Sequence, residues 1–312
     1  MTRRGLRHRW EYGLYRTLSG LLRGLPESWA LGLGALLGWK AGVVFRIRRR
    51  AVDAHLELAF PDRSEGWRHR VARASFAHLG REAVAMLRMA DLDRSDLRAR
   101  TSVEGLEAFE SARSQGRGVI VVSGHLGNWE IGAAALAARG IPVEAVAKGM
   151  ANRRFDEELV RTRERLGVSI VGMEEAPRRV LRALGRGEVA ALVADQNFHR
   201  DPVFVPFFGR LAATARGPAV FALRTGAPVF LGVAIRDRGA GSVARYRTVL
   251  QPIDFDPSGD HEADIRRLTE TYTAALEELI RAHPEQYFWQ HRRWKHRPPP
   301  VEGGEPVVEE HE

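Results

Sequence analysis

The chain has 312 residues, of which 44% are hydrophobic and 28% charged, a composition typical of a globular protein with one large domain or two small ones. It contains no cysteine, which excludes disulfides, thiolate metal sites and cysteine nucleophiles. The formal net charge of +9 indicates an anionic partner, such as nucleic acid, a membrane surface or an acidic protein.

The positive charge is concentrated at the N-terminus. Residues 1–50 hold eleven basic and two acidic residues, an excess of nine, so residues 51–312 are balanced. A nucleic-acid enzyme would carry its basic face around the catalytic domain. We therefore expect no nucleic-acid partner.

The basic segment is also apolar. Leucines recur at helical spacing after Trp10, Pro26 interrupts them, and WALGLGALLGWKAGVVF follows over residues 29–45 with Lys40 as its only charge. At ~1.5 Å per residue this run reaches roughly 25 Å, the short limit for a membrane span. RIRRR follows it in place of a signal-peptide cleavage site. The sequence predicts membrane association, by spanning or by lying on the bilayer; the alternative is a buried helix packed on the main domain.

Beyond this arm, apolar patterns predict helices and then alternating strands and helices. A helix that Pro61 stops and a second over about 65–90 come first. Strands are predicted at 119–122, 142–147, 168–171, 189–194, 228–235 and 246–253, with helices near 129–138, 152–166, 177–185, 215–225 and 261–282. VFVPFFG, residues 203–209, is assigned to a long loop. The alternation predicts an α/β fold with a mostly parallel central sheet flanked by helices.

The predicted organisation has three parts. An arm over residues 1–50 precedes a main domain over 51–298, and residues 299–312 form a tail rich in Pro, Gly and Glu. Such a composition is typical of disordered segments.

The candidate active site is GHLGNWE, residues 124–130, directly after a predicted buried strand. Ligands of parallel α/β sheets bind beyond the C-terminal ends of the strands. On a continuous helix His125 and Glu130 would lie roughly 140° apart, so they can pair only if the chain turns between them. Gly127 permits that turn, Asn128 suits a helix N-cap, and Glu130 would fall in the first helical turn. The sequence predicts that Glu130 orients one imidazole nitrogen and leaves the other free as a general base.

Other chemistries are less well supported. A structural histidine capping the strand end is the alternative to catalysis. There is no G-x-S-x-G elbow, no H-E-x-x-H and no P-loop lysine, and the glycines of LGLGALLG do not follow a strand. A metal at His125 and Glu130 would need further ligands, which Asp195, His199 and Asp201 could supply. We expect no metal and no cofactor.

GHLGNWE resembles the His-x4-acid motif of glycerolipid acyltransferases, in the form used by the lipid A biosynthesis lauroyl/myristoyl acyltransferase family. Other stretches agree in order: HLELAFPD (55–62), ADQNF (194–198), VFVPFFGRLAATARGPAVFALRTGAPV (203–229) and PEQYFWQHRRWKHRP (284–298). The resemblance extends from the arm to Pro298. His55 stands where the family would have asparagine.

The resemblance implies a membrane-bound O-acyltransferase on the cytoplasmic side of a bacterial inner membrane. It would move a fatty acyl chain from an acyl carrier protein thioester, or acyl-CoA, to a hydroxyl of a lipid A precursor or related glycolipid. His125 would take the proton of that hydroxyl as it attacks the thioester carbonyl, and no covalent acyl-enzyme is needed. The alternatives are a phosphatidylinositol mannoside-type or lysophospholipid acyltransferase and, in a different class, a non-enzymatic module that binds membrane lipids.

Four residues near the predicted strand ends and helices are candidates for substrate binding. Asn128 could touch the substrate, although a helix cap is favoured. Arg165, in RERLG, aligns with an arginine that the family places near the site, and it could bind a phosphate or the oxyanion or be solvated. Asp195 and Gln196 end a predicted strand at the cleft edge, where they could position the acceptor or make a structural loop contact.

Two further candidates precede a predicted helix. Thr214 and Arg216 stand before Gly217 and Pro218, a place suited to phosphate recognition at a helix N-terminus. The aromatic VFVPFFG could line an acyl channel or pack in the core. The basic residues of HRRWKHR, 291–297, could lie at lipid headgroups or form a solvated chain end.

Overall fold

The computed structural model describes residues 3–237 and 243–298, so the predicted tail at 299–312 lies outside the described residues. The helices are α1 (Arg3–Gly24), α2 (Glu27–Val43), α3 (Arg49–Ala59), α4 (Glu65–Arg88), α5 (Arg94–Arg100), α6 (Leu106–Ser114), α7 (Trp129–Ala138), α8 (Arg153–Arg165), α9 (Ala176–Gly185), α10 (Gly217–Thr225) and α11 (His261–Ala282). The strands are β1 (Thr101–Glu104), β2 (Val119–Ser123), β3 (Val143–Ala147), β4 (Val168–Gly172), β5 (Val189–Val193), β6 (Pro202–Phe207), β7 (Arg210–Ala215), β8 (Val229–Arg236) and β9 (Tyr246–Ile253). Short 3-10 turns follow α4 at Met89–Asp91 and α11 at Pro284–Gln286.

Seven of these strands form one sheet in the order β1-β9-β8-β2-β5-β3-β4. Every neighbouring pair is parallel except β8 and β9, which are antiparallel. The predicted α/β fold with a mostly parallel central sheet flanked by helices is therefore confirmed.

The hydrophobic core lies on both faces of this sheet, as expected for parallel strands. Successive strand residues point to opposite faces. Ile120 and Val122 of β2 pack with α9, α10 and α11 on one face, whereas Val119 and Val121 pack with α7 on the other. The buried strand β2 is thereby held from both sides, and its C-terminal end is a fixed position.

The prediction of a loop at 203–209 is wrong. Strands β6 and β7 form an antiparallel hairpin outside the main sheet, turning at Phe208 and Gly209, both with positive φ. Phe207 and Phe208 are buried in the main core, so these aromatic side chains are core packing. The short elements α5, β1 and α6 were not predicted, because a four-residue strand is too short to show a periodic pattern.

The N-terminal helices pack on the main domain by one face. Helix α2 lies against α4 so closely that a Cβ added at Gly38 would meet the carbonyl oxygen of Phe76 at 2.2 Å. Arg88 of α4 donates to the carbonyl oxygens of Leu22 and Leu25 at the end of α1, at 2.7 and 3.1 Å. The predicted alternative of a helix packed on the domain is thus realised for one face of α2.

The opposite faces of these helices carry exposed apolar side chains. Trp10 of α1 is 80% exposed and Trp29 of α2 is 71% exposed. The other large apolar side chains exposed here are Leu14, Leu18, Leu21, Leu33, Leu36 and Leu37. Over residues 3–237 and 243–298, none of the helices has the combined length and apolar character needed to cross a bilayer.

Candidate active site

Two parallel neighbours, β2 and β5, bring the central pair of the site together. Ser123 at the end of β2 is paired with Val193 at the end of β5. His125 and Asp195 each lie two residues beyond these partners, so the strand register sets them opposite each other. Nδ1 of His125 is 2.6 Å from Oδ1 of Asp195, and the backbone N–H of His125 donates to Oδ2 at 2.8 Å. The carboxylate therefore fixes both the ring and the backbone of the histidine.

The carboxylate of Asp195 is only 5% exposed. Burial raises its pKa, but the charge of a protonated His125, hydrogen bonds from the His125 ring and backbone N–H, and the charge of Arg293 together bring the pKa below its ordinary value. An ionised Asp195 can only accept hydrogen bonds. Nδ1 of His125 must then carry a proton, and Nε2 of the neutral ring is the acceptor.

Nε2 of His125 faces the partly open side of the site. The amide nitrogen of Gln196 lies 3.1 Å from it and can donate to it. The ring of Trp129 packs edge-on against the imidazole, with 4.5 Å between ring centroids, and the backbone N–H of Phe288 donates to the His125 carbonyl oxygen at 3.0 Å. The His125 side chain is 17% exposed, so part of the imidazole ring is open to solvent.

The turn predicted between His125 and the helix is present. Gly127 has φ +67°, and a Cβ there would lie 1.9 Å from the Ala234 carbonyl oxygen, so no larger residue fits. Asn128 is the N-cap of α7 and accepts from the Ile131 N–H through Oδ1 at 3.1 Å. Its Nδ2 donates to the buried Glu82 at 2.9 Å. Asn128 is 1% exposed with both groups engaged, so its place is that of a cap and not of a substrate contact.

The predicted pairing of Glu130 with His125 is wrong. Glu130 forms a bidentate ion pair with Arg163 of α8, with Arg163 Nε 2.7 Å from Oε2 and Nη2 donating to Oε1. Glu130 is buried as the second residue of α7, and a buried carboxylate requires a cation. Both ring nitrogens of His125 are engaged by Asp195 and Gln196 instead.

Arg165 does not lie at the site either. Its guanidinium donates to the carbonyl oxygens of Met89, Ala90 and Leu92, at 2.9, 2.8 and 2.6 Å. It thereby provides hydrogen-bond donors to carbonyl groups just beyond the end of α4. The arginine of α8 that pairs with the GHLGNWE motif is Arg163, two residues earlier, through Glu130.

The two residues before α10 are also engaged elsewhere. Thr214 is 1% exposed; its hydroxyl donates to the Ala212 carbonyl oxygen at 3.0 Å and accepts from Arg293. Arg216 is paired with Asp201 at 2.8 Å and also with Glu262. The proposed role of this pair in phosphate recognition is therefore not supported by the contacts.

The metal alternative is not supported in the described part of the chain, which holds no group of three or more His, Asp or Glu residues placed to bind an ion. Of the suggested ligands, Glu130 is bound to Arg163 and Asp201 to Arg216. Only Asp195 lies beside His125.

Sequence reasoning missed the part that the C-terminal segment plays. Nε2 of His291 accepts the Asn197 N–H at 2.9 Å and so holds the loop that carries Asp195 and Gln196. Burial lowers the pKa of His291 to about 4, so the ring is neutral and remains an acceptor at ordinary pH. The resemblance to the acyltransferase family includes the segment PEQYFWQHRRWKHRP. That this segment contacts residues 195–197 can be known only from the fold.

Comparisons with known proteins identify the family of the chain. The family model described as "Bacterial lipid A biosynthesis acyltransferase" matches residues 3–296. The chain is 29% identical over 281 residues to the lipid A biosynthesis palmitoleoyltransferase of Escherichia coli, covering 88% of this chain and 87% of the relative. It is 29% identical over 277 residues to the lipid A biosynthesis lauroyltransferase of the same organism, with 88% of each chain covered. It is 30% identical over 219 residues to the phosphatidylinositol mannoside acyltransferase of Mycolicibacterium smegmatis, covering 67% and 70%. The chain therefore belongs to the bacterial lipid A biosynthesis acyltransferase family and is an acyltransferase.

Proposed function

We propose that this protein transfers a fatty acyl chain from a carrier thioester to a hydroxyl group of a lipid A precursor. The observation that carries the mechanism is the His125–Asp195 pair, with a proton held on Nδ1, Nε2 as the acceptor beside the Gln196 amide, and a partly exposed ring. Family membership and the names of the relatives supply the acyl group and the glycolipid class.

In the proposed reaction Nε2 of His125 accepts the proton of the acceptor hydroxyl while its oxygen attacks the thioester carbonyl carbon. The tetrahedral oxyanion collapses, the carbon–sulfur bond breaks, and the imidazolium returns its proton to the departing thiolate. Asp195 stabilises the imidazolium that forms between these steps. The acceptor hydroxyl takes the place of the Gln196 amide at Nε2, and that amide can then donate to the developing oxyanion.

A row of small side chains on the surface of the sheet, called the floor below, leads away from His125 and suits an acyl chain. Ala191 and Val193 of β5 and Ala145 and Ala147 of β3 alternate along their strands and share the sheet face that α7 covers. All four are partly open, and α8 buries none of its own residues. With strands ~4.8 Å apart, the path from β2 across β5 and β3 to β4 measures roughly 14 Å. A C–C bond of ~1.5 Å advances about 1.3 Å along an extended chain, so this path holds about eleven carbons.

The acyl placement is tested by filling the floor. Ala147→Phe should shift the preferred donor to one several carbons shorter, measured by competition among thioesters of different chain length. Ser169→Phe is the control, because Ser169 is exposed on the opposite face of β4. An unchanged chain-length preference in Ala147→Phe would place the acyl chain elsewhere.

The reaction is tested with purified protein, labelled acyl carrier protein thioester or acyl-CoA, and three acceptors: a lipid A precursor, a phosphatidylinositol mannoside and a lysophospholipid. Mass spectrometry should show acylated lipid A precursor, and His125→Ala should abolish it. His199→Ala, at an exposed histidine, is the matched control. If product forms only with the phosphatidylinositol mannoside or the lysophospholipid, the protein is an acyltransferase of that alternative type. If no product forms with any of the three acceptors, the result supports a membrane-binding module.

We further propose that α1 and α2 lie on the cytoplasmic face of a bacterial inner membrane, where thioester donors are available. The exposed apolar side chains of both helices provide the buried face, and the excess of nine positive charges in residues 1–50 suits anionic lipid. Flotation with anionic vesicles should carry the protein upward, whereas zwitterionic vesicles should carry less. Replacing Trp10, Leu14 and Leu21 together by serine should weaken flotation in both; unchanged flotation would contradict this orientation.

A further inference from the structure

Arg293 is the buried cation of the HRRWKHR segment, at 2% exposed. Its Nη1 donates to the Ala213 carbonyl oxygen at 2.6 Å and its Nη2 to the Thr214 hydroxyl, and the guanidinium lies 5.3 Å from the ring centroid of Phe207. Both hydrogen-bond acceptors are neutral. Within the described residues, the buried Nε has no hydrogen-bond partner. A buried charge held in this way requires further compensation.

A small cavity separates Arg293 from Asp195. Both residues line it, together with Ser123, Tyr272 and Thr273. The space for the centre of a water molecule is about 10 Å³, close to the ~10–15 Å³ that one water molecule requires. A water there would have the two to four polar partners that buried water needs. The cavity is therefore suited to a hydrogen-bonded bridge between the unpartnered Nε–H and the carboxylate.

The other titratable groups that face Asp195 do not provide a permanent charge. Tyr287 is neutral, because burial and the charge of Asp195 raise its pKa well above the ordinary value. His291 is neutral above about pH 4. His125 changes its charge during the proposed reaction. Arg293 is the permanent cation of this set.

We propose that Arg293 is a positioning residue for acyl transfer: acting across the cavity, it supplies the positive charge that keeps Asp195 ionised. An ionised Asp195 keeps the proton of His125 on Nδ1 and leaves Nε2 able to accept the substrate proton. This inference rests on the proposed function, and it assigns Arg293 a role that differs from both sequence-based alternatives, lipid headgroups or a solvated basic end.

Removing the charge of Arg293 should change the pH dependence of activity in one direction. Burial alone raises the pKa of Asp195, and Arg293 is one of the groups that oppose this. Without the cation, the pKa of Asp195 is lowered less, and the His125–Asp195 pair as a whole takes up a proton more readily. The acidic limb of the kcat/KM profile should then move upward, whereas a purely structural defect would lower activity by the same factor at every pH.

The first experiment compares kcat/KM from pH 5 to 9 for three variants in the thioester assay. Arg293→Gln should move the acidic limb upward, with partial recovery of activity at high pH. Arg293→Lys retains the charge and should leave the limb near its wild-type position. Arg224→Gln, at an exposed arginine of α10, is the control and should change nothing. A uniform loss across the pH range in Arg293→Gln would overturn the proposal.

A second measurement separates this inference from the proposed function, because it needs no activity. Thermal unfolding is compared for Asp195→Asn, Arg293→Gln and the double variant. Arg293→Gln leaves Asp195 as a buried anion without its cation, so the double variant should melt at a higher temperature than Arg293→Gln alone. Strictly additive losses in melting temperature would overturn the coupling, even in a protein that showed no acyl transfer.

Discussion

The His125–Asp195 pair and the Glu130–Arg163 pair both involve a residue of the GHLGNWE motif, and they differ in what they can do. In the first pair the partner of the carboxylate can gain and lose a proton, and one ring nitrogen stays accessible. In the second pair a permanently charged guanidinium occupies both carboxylate oxygens in a fork. Of the two, the first pair is therefore the one suited to proton transfer, and the second joins α7 to α8.

The comparison also shows why chain spacing is a poor guide to partners at the end of a strand. Glu130 is the nearest acid to His125 along this motif, but the start of α7 directs it to the next helix. Asp195 is 70 positions away in sequence and meets His125 because β2 and β5 are parallel neighbours.

The largest effect is expected from the first pair. Asp195→Asn retains shape but cannot hold the proton of His125 on Nδ1, so kcat/KM should fall by roughly 10³–10⁴-fold, close to the loss in His125→Ala. The thioester assay measures this, with circular dichroism and thermal melting as controls for folding. Near wild-type activity in Asp195→Asn would show that the pair is not the reacting one.

An intermediate effect, on stability, is expected from the second pair. Glu130→Gln leaves the partly buried guanidinium of Arg163 without its anion and should lower the free energy of unfolding by about 1.5–3 kcal/mol. Glu130→Gln combined with Arg163→Met should recover part of that loss in denaturant unfolding.

The pH profile distinguishes the two pairs in Glu130→Gln. Whatever activity the variant retains should keep the wild-type acidic limb, since Asp195 and its neighbours are unchanged. A shifted acidic limb would instead assign Glu130 a direct influence on His125.

The smallest effect is expected from His291, whose Nε2 accepts the N–H of Asn197 and holds that loop. The folded state lowers the pKa of His291 to about 4, so the unfolded chain binds a proton there more readily as the pH falls below the ordinary value of 6.5. This contribution to stability is fully present above about pH 6.5 and is lost as the pH falls toward about 4. His291→Gln should therefore lose less melting temperature than the wild type between pH 7 and pH 5.

His55 and His78 also have pKa values lowered by burial, but they are present in both proteins, so the difference isolates His291. Equal losses of melting temperature in the two proteins would show that His291 binds its proton as readily in the folded state.

Local patterns were sufficient for six strands of the main sheet, the position of His125 after β2, the turn at Gly127 and the cap at Asn128, since each depends on residues within one helix or strand and its connection. Pairings between distant segments were not predictable in this way. The partnership of Asp195 with His125 requires the strand order, and that of Arg163 with Glu130 requires the packing of two helices. The hairpin at 203–209 was missed because its aromatic residues serve the main core as well as the local turn.

The matched register of β2 and β5 makes the reaction centre dependent on the length of its connections. Deleting one residue between Ser123 and His125 would keep every letter of HLGNWE, yet it would turn the imidazole away from the carboxylate, since neighbouring positions along an extended chain face opposite sides. A search of natural sequences for active enzymes of this type should therefore require the same two-residue step after both strands, and should discard chains that keep the histidine motif but change either step.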